Sequence, residues 1–492
     1  MLHTALTRRK IIQLFGESPL RSAGLPDRQP GKPDISENFM SIQIKRVLTA
    51  GVAAAALTGS IAGAQAGAFA LREQSPVAQG AAFAGVAAGE GGASAMFWNP
   101  ATMTKLPGWN SQWGFSTVLP NAVVLPLATT PTFGFGGSGN IGLDAVIPSS
   151  YSTYQFNDWL WLGMSVNAPF GLATKAPLNW SGQVYGRTSE AKTTSIAPTL
   201  AIKINDWVSV GASFEAVRMS TRLTSAIGAP AAAAVLPGAP LAELKGNSWG
   251  YGFTAGITLT PFAGTELGLG YRSQVREDLS GTFINQVAVG ALPAAAAIGG
   301  AYGIKSKVTL PDMVTVGLRQ RVTNDLTFLA GFEWTHWGRF NSFPVCLTSP
   351  APFAGACPAP LALNFRYSDG WYASIGGEYK WNPALTLRAG LAYEKSPITS
   401  TVRSVRLPDS DRVWATLGAG YQISKKLSVD VSYAHIFAKS GTIDIVAGHP
   451  AFNGLPYHAT TKGHVDILSA ALSYRWDDPG VTAPAGPIVR KY

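Results

Sequence analysis

Charged residues are scarce in this chain, at 13% of its 492 residues. An ordinary soluble domain carries about 25%. Long apolar runs are missing too. A membrane-spanning helix needs about 18 or more consecutive apolar residues, and the one comparable run, Val47–Leu57, falls well short. Together these absences exclude a typical soluble enzyme surface and a helical membrane protein. Cysteine is limited to Cys346 and Cys357, too few ligands for a structural metal centre. The histidines His336, His435, His449, His458 and His464 show no metal spacing. No cofactor is implied. Nor is there a clustered basic tract, so the formal charge of +10 gives no footing for nucleic acid. It fits Lys and Arg set near a lipid-phosphate surface, with a role in substrate capture as the competing reading.

What remains is 46% hydrophobic, with 54 glycines and 10% aromatics. The run Val47–Leu57 follows Lys45 and Arg46 and precedes Ala64-Gln65-Ala66. A basic end, an apolar middle and an A-x-A site make a secretory signal peptide. It is read here as 40–66, with Gly67 the expected mature N-terminus. Residues 1–39 are polar and are read as a disordered, non-native extension upstream of a start at Met40. The first 66 residues hold eight Lys/Arg and four Asp/Glu, which leaves +6 on the rest. Export exposes the cysteines to an oxidising compartment, where a Cys346–Cys357 loop disulfide is expected.

From about Trp109 onward many segments alternate. In Ala384–Glu394, Leu385, Leu387, Ala389, Leu391 and Tyr393 share one face. Thr386, Arg388, Gly390, Ala392 and Glu394 share the other. Leu427–Ala434 and Leu326–Thr335 behave alike. Period-two alternation is the signature of a strand with unlike faces. Three features favour a membrane barrel over a soluble sandwich. The strands are long, about 10 residues, as a tilted spanning strand requires. Aromatics such as Trp207, Trp371, Trp381, Tyr393, Tyr421 and Trp476 stand near strand ends, where barrels carry girdles. Short turns (Asn157-Asp158, Asn205-Asp206, Asn382-Pro383) alternate with long loops, as periplasmic turns alternate with external loops. The expected fold is all-β, a transmembrane antiparallel β-barrel of about fourteen strands over 107–476. A disordered periplasmic tail, 477–492, is expected to follow.

The stretch 67–106 does not alternate. It is rich in Ala and Gly and too small for a core of its own. The nearest core it can borrow is the barrel lumen, so it is placed there as a plug. Within it, "MFWNPATM" (Met96–Met103) fits that role, since Pro100 fixes its own φ and holds Asn99 extended. An ordinary turn at the barrel entrance is the competing reading.

The order of motifs along the chain resembles the FadL-type long-chain fatty acid transporters of the outer membrane. Phe69, Leu71 and Glu73 match that family's opening, and Asn99-Pro100-Ala101 follows at the family's spacing. The likeness continues through "GNSWGYGFTAGI" (246–257), "LGYRSQV" (269–275), "LPDM" (310–313) and "SPITSTVRSVRLPDSDRVW" (396–414). It implies a fourteen-stranded barrel with an N-terminal hatch, in the outer membrane of a Gram-negative bacterium. It also implies passive uptake of hydrophobic small molecules, with fatty acids the type substrate and aromatic hydrocarbons such as toluene the alternative. Partners are then the substrate and the lipid and lipopolysaccharide of the outer membrane, and a monomer is expected.

"WLGMSVNAPFGLAT" (161–174) reads as the third strand, interrupted by Pro169 and Gly171. Pro gives no ladder hydrogen bond and Gly permits a bend. Asn167, Pro169, Phe170 and Gly171 are therefore the expected kink, and the resemblance implies a gap in the wall there. The competing reading ends the strand at Pro169. Phe69, Leu71 and Phe97 are the expected apolar contacts of a substrate. Arg272 and Arg412 fall on inward faces. Each could meet a substrate carboxylate or, more commonly, pair with a lumen acid such as Glu266, Glu378 or Glu394. The apolar loops 228–242 and 286–299 are candidates for first capture. Gly246–Gly250 matches G-x-S-x-G and Gly134–Gly139 a dinucleotide fingerprint, but neither has the required strand-turn-helix context. No catalytic Ser/His/acid set can be assembled, so no enzyme is expected. A general porin would need an open, charged lumen, and an outer-membrane lipid hydrolase would need that missing set.

Overall fold

A computed structural model of the chain describes residues 67–131, 135–227, 241–286, 300–350, 354–358 and 361–477. The expected extension, the leader and all of the tail beyond Asp477 lie outside the described residues, as do most of the two apolar capture loops. No described helix is long and apolar enough to cross a membrane.

Fourteen antiparallel strands form the wall. They are β1 (Trp109–Pro126), β2 (Ala145–Gln155), β3 (Leu160–Asn167, resuming at Gly171–Lys175), β4 (Thr188–Lys203) and β5 (Val208–Ala226). Next come β6 (Leu241–Phe262), β7 (Thr265–Arg272 and Val275–Asn285), β8 (Gly300–Leu310 and Met313–Arg321) and β9 (Leu326–Thr335). The last are β10 (Gly370–Lys380), β11 (Leu385–Lys395), β12 (Arg412–Gln422), β13 (Leu427–Ala438, with Gly441–Ile445) and β14 (Tyr457–Arg475). β14 pairs with β1 from Asn110↔Arg475 to Pro126↔Ala459, which closes the sheet. Closure leaves no open edge where unpaired backbone would cost several kcal/mol in lipid.

The alternation sorts as the sequence requires. On β14, Leu468 and Leu472 face outward and are exposed, while Ile467 and Ala471 are buried. Trp207, Trp381, Tyr421 and Trp476 ring the end that carries the short turns, and Trp371 and Tyr393 the other. Exposed aromatics and leucines in such number would be a large liability in water and are ordinary against lipid. β14 begins at Tyr457 rather than at the expected Val465. Its outer extension pairs with β1 and with Gly441–Ile445, and its polar residues carry no lipid-facing pattern to read. Cys346 and Cys357 are disulfide-bonded in the loop between β9 and β10.

Residues 67–106 are almost wholly buried. Their carbonyls accept from inward side chains around the barrel: Ser116 to Glu73, Tyr151 to Gln74, Ser432 to Pro76, Thr416 to Gly80 and Tyr372 to Ala82. Gly85 donates to the carbonyl of Ala330 at 2.9 Å. Irregular backbone at membrane depth is tolerated only when its polar groups are met in this way. The fit is close enough to need missing side chains on the wall. A Cβ on Gly268 would stand 1.8 Å from the Ala87 oxygen.

Candidate functional site

Three features converge near the outer half of the bore. The first is the break in β3. Up to Val166 the strand pairs with β2 on one side and β4 on the other. Beyond it, Ala145–Ser149 of β2 pairs with β1 alone. The chain at 168–170 stays with β4, where Phe170 N donates to Thr193 Oγ1 at 2.8 Å and Thr193 N to Phe170 O at 3.1 Å. β3 therefore leaves β2 and not β4. Pro169 has no N–H to give a neighbour. The break closes toward the outside through the loop at 141–143, where Lys175 N reaches Ile141 O at 2.8 Å. Pro169 thus interrupts the strand rather than ending it.

The second feature is what covers the break. Leu71 N donates to Pro169 O at 2.9 Å, and Gly171 N donates to Phe69 O at 2.8 Å. Gln74 brackets Ala168, donating Nε2–H to its carbonyl at 2.6 Å and accepting from its N–H at 3.3 Å. The backbone that β2 no longer serves is served by residues 69–74.

The third is a mostly apolar cavity, the kind of lining that small-molecule sites carry. Phe69, Leu172, Met219, Leu279, Val308 and Phe340 are among its lining residues. Phe69 is buried and sits between the break and the cavity. Its ring lies 5.9 Å from Phe170, 4.7 Å from Trp337 and 5.0 Å from Phe340, centroid to centroid.

The cavity's polar lining includes Ser189, Glu190, Thr221, Ser280, Ser306 and Arg406, the last a cation that sequence reasoning missed. It lies in the loop between β11 and β12 and is partly buried. Its Nη1 donates to Thr188 O at 3.3 Å, Ser189 Oγ at 3.4 Å and Thr224 O at 3.2 Å. Among the described residues no carboxylate lies within 4.0 Å of it. Desolvation without an acid partner pushes its guanidinium down to about 10, so it is still charged at neutral pH.

The expected arginines are placed differently. Arg272 pairs with Glu215, an acid the sequence reading did not name, and donates to Phe97 O at 2.8 Å. Its guanidinium lies 3.9 Å over the Phe97 ring. Arg412 pairs with Asp409 and lies 3.6 Å from Glu394. Neither arginine lines the cavity, and neither do Phe97 or Leu71; Phe69 does. Asn99 is extended and accepts from Ala101 N at 3.0 Å, capping a short 3-10 helix, Pro100–Lys105. Its Nδ2 donates to Ala87 O at 2.7 Å and Ile257 O at 2.9 Å, tying the inner segment to β6.

At the short-turn end the bore is crossed by ion pairs. Glu90 lies 3.2 Å from both Arg319 and Arg388, and Lys105 2.9 Å from Glu266. Arg388 also holds Glu378 at 2.9 Å and Asp430 at 2.8 Å.

The family model for outer membrane protein transport proteins (OMPP1/FadL/TodX) matches residues 57–476. The chain belongs to the FadL/TodX family. The long-chain fatty acid transport protein of Salmonella typhi is 26% identical over 424 residues, covering 82% of this chain and 93% of that protein. Outer membrane protein P1 of Haemophilus influenzae is 28% identical, covering 78% of this chain and 89% of its own. A Pseudomonas aeruginosa FadL homologue superposes with a TM-score of 0.75 at 22% identity, over 84% of this chain and 100% of that one. The Ralstonia pickettii toluene transporter TbuX gives 0.60 at 19%, over 82% and 100%. These two structures speak to the fold alone. As a FadL/TodX protein, the chain is a Gram-negative outer-membrane barrel that transports hydrophobic molecules and is not an enzyme.

Proposed function

We propose that this channel takes up long-chain fatty acids, with residues 67–106 acting as a hatch and the break in β3 as the exit. Substrate enters the apolar cavity with its chain against Phe69 and its carboxylate on Arg406. Phe69 yields, the bonds from Phe69 and Leu71 to the break part, and the substrate leaves sideways into lipid. Lateral exit suits an alkyl chain, which would lose about 0.8 kcal/mol per CH₂ on entering water. Exit straight through the bore would cross the Glu90–Arg319–Arg388 network instead.

The observation that carries the carboxylate reading is Arg406, a guanidinium with no carboxylate within 4.0 Å among the described residues, on a mostly apolar wall. Such a group has little use for a neutral hydrocarbon. Toluene-like substrates are the second reading, favoured by the ring cluster of Phe340, Phe343 and Phe365 at 4.7–4.8 Å. The test is binding of a C18 fatty acid and of toluene to the purified barrel and to Arg406→Met. Losing a charge-assisted hydrogen bond costs about 1.5–3 kcal/mol, so fatty acid affinity should fall roughly 10- to 150-fold while toluene is unaffected. Fatty acid affinity indifferent to Arg406→Met would overturn the carboxylate reading.

A further inference from the structure

The lipid-facing side of the wall is uneven where β10 to β14 run together. Ile375, Leu391, Ala415, His435 and Asp466 stand side by side in one register row, one from each of these strands in turn. Ala389 lies one outward position from Leu391 toward the short-turn end, opposite Leu417. Ala389 and Ala415 are too short to fill the space between the longer side chains around them, and a shallow apolar trough is left on the outer surface of the wall. Its last lining residues on β13 are Tyr433 and His435.

There the oily face gives way to a polar cluster. Outward positions on β14 read Leu472, Ala470 and Leu468, and then Asp466, His464 and Lys462 toward the long-loop end. Asp466 Oδ1 accepts from Tyr433 Oη at 2.6 Å and lies 2.7 Å from His435 Nδ1. Its other oxygen, Oδ2, lies 3.9 Å from His464 Nε2, too far for a hydrogen bond. The two imidazoles are stacked with ring centroids 5.6 Å apart. Lys462 is exposed, and among the described residues it pairs with no carboxylate. Charge on the lipid face of a barrel is tolerated only toward an interface. The cluster therefore marks the level at which hydrocarbon ends and the headgroups of the outer leaflet begin.

We propose that this face is a binding site for a phosphorylated glycolipid of the outer leaflet, the lipid end of lipopolysaccharide. One acyl chain lies in the trough, a sugar phosphate sits on Lys462 and His464, and a sugar hydroxyl or amide donates to Asp466. Trough and cluster meet at His435, so the chain and the headgroup of one molecule reach both. The donor set decides the class of lipid. Ammonium and imidazole N–H groups suit a phosphate, but a phosphate alone would meet repulsion from Asp466. A phosphorylated sugar both accepts from the first groups and donates to the second. The trough shares no residue with the apolar cavity, so the inference is independent of which substrate the channel takes.

The test titrates the full barrel, purified from outer membranes and stripped of lipid in detergent, with three lipids read by native mass spectrometry. These are bisphosphorylated lipid A, the same lipid without its phosphates, and phosphatidylglycerol. Bisphosphorylated lipid A should bind one to one and at least about tenfold more tightly than the other two, the effect of one or more charge-assisted hydrogen bonds. Lys462→Ala with His464→Ala should bring it to the level of the dephosphorylated lipid. Ala415→Phe fills the trough and should weaken both forms of lipid A while keeping the preference for phosphate. All variants change outward side chains, and their barrels should keep the parent's heat-resistance on gels. Phosphatidylglycerol bound as tightly as lipid A would reduce the face to ordinary boundary lipid and overturn the proposal. Lipid A binding indifferent to the Lys462 and His464 substitutions, or to Ala415→Phe, would overturn it as well.

Discussion

Phe69→Ala tests whether the cavity and the wall opening are mechanically joined. Phe69 is 4% exposed and touches Phe170, Trp337 and Phe340. Truncating a buried Phe costs about 3–5 kcal/mol, and each aromatic pair accounts for about 0.5–1.5 of that. Little of the loss should fall on the barrel, whose strands are held by their own ladders. It should fall on docking of residues 67–74. A loss of about 3–5 kcal/mol shifts a docked–undocked equilibrium by roughly 10²–10⁴. The amides that report docking are Leu71 and Gly171, because each is bonded across the break. Hydrogen exchange at these two should speed by at least 10², while Val166, within the β3–β4 ladder, keeps its protection. Unchanged exchange at Leu71 and Gly171 would refute the coupling. So would a uniform loss over the whole barrel, which would show the effect to be global.

Two further outcomes are expected. Replacing both Pro169 and Gly171 by Val lets β3 run straight beside β2; uptake of labelled fatty acid by cells should fall to the level of cells lacking the channel while cavity binding persists, and undiminished uptake would exclude the β3 exit. Glu90→Ala removes the acid shared by Arg319 and Arg388, a loss worth about 3–5 kcal/mol for a buried pair; ion conductance in planar bilayers should rise with fatty acid affinity unchanged, and a silent channel would show that other contacts hold the short-turn end.

The wall was readable because lipid forces a pattern on every second residue. Ala384–Glu394 and Leu427–Ala434 announce their faces without any knowledge of neighbours. The break in β3 was readable for a related reason, since Pro169 violates the ladder by its own covalent chemistry. What pairs with what across the bore was not. Arg272 stands opposite Thr254 and Met313, and Glu215 reaches it from the far side of β6, a relation set by register and shear rather than by spacing. Arg406 was hidden more deeply. Its partners, Thr188 and Thr224, belong to strands some two hundred residues upstream, and its loop has no periodicity. The shared location of Phe69 in the cavity wall and beside the break likewise exists only once the inner segment is folded back.

The groups that fasten the inner segment are divided by position. Glu90 and Lys105 are moored by ion pairs at one end, while residues 69–74 are moored at the other by backbone bonds across the break, the Phe69 ring contacts and the Arg72 pairs with Glu333 and Glu394. On the proposed route, a substrate loosens the second mooring without disturbing the first. On that route, the passage for grease and the passage for water are separate openings, so the outer membrane would keep its barrier to dissolved toxins while it admits an oil.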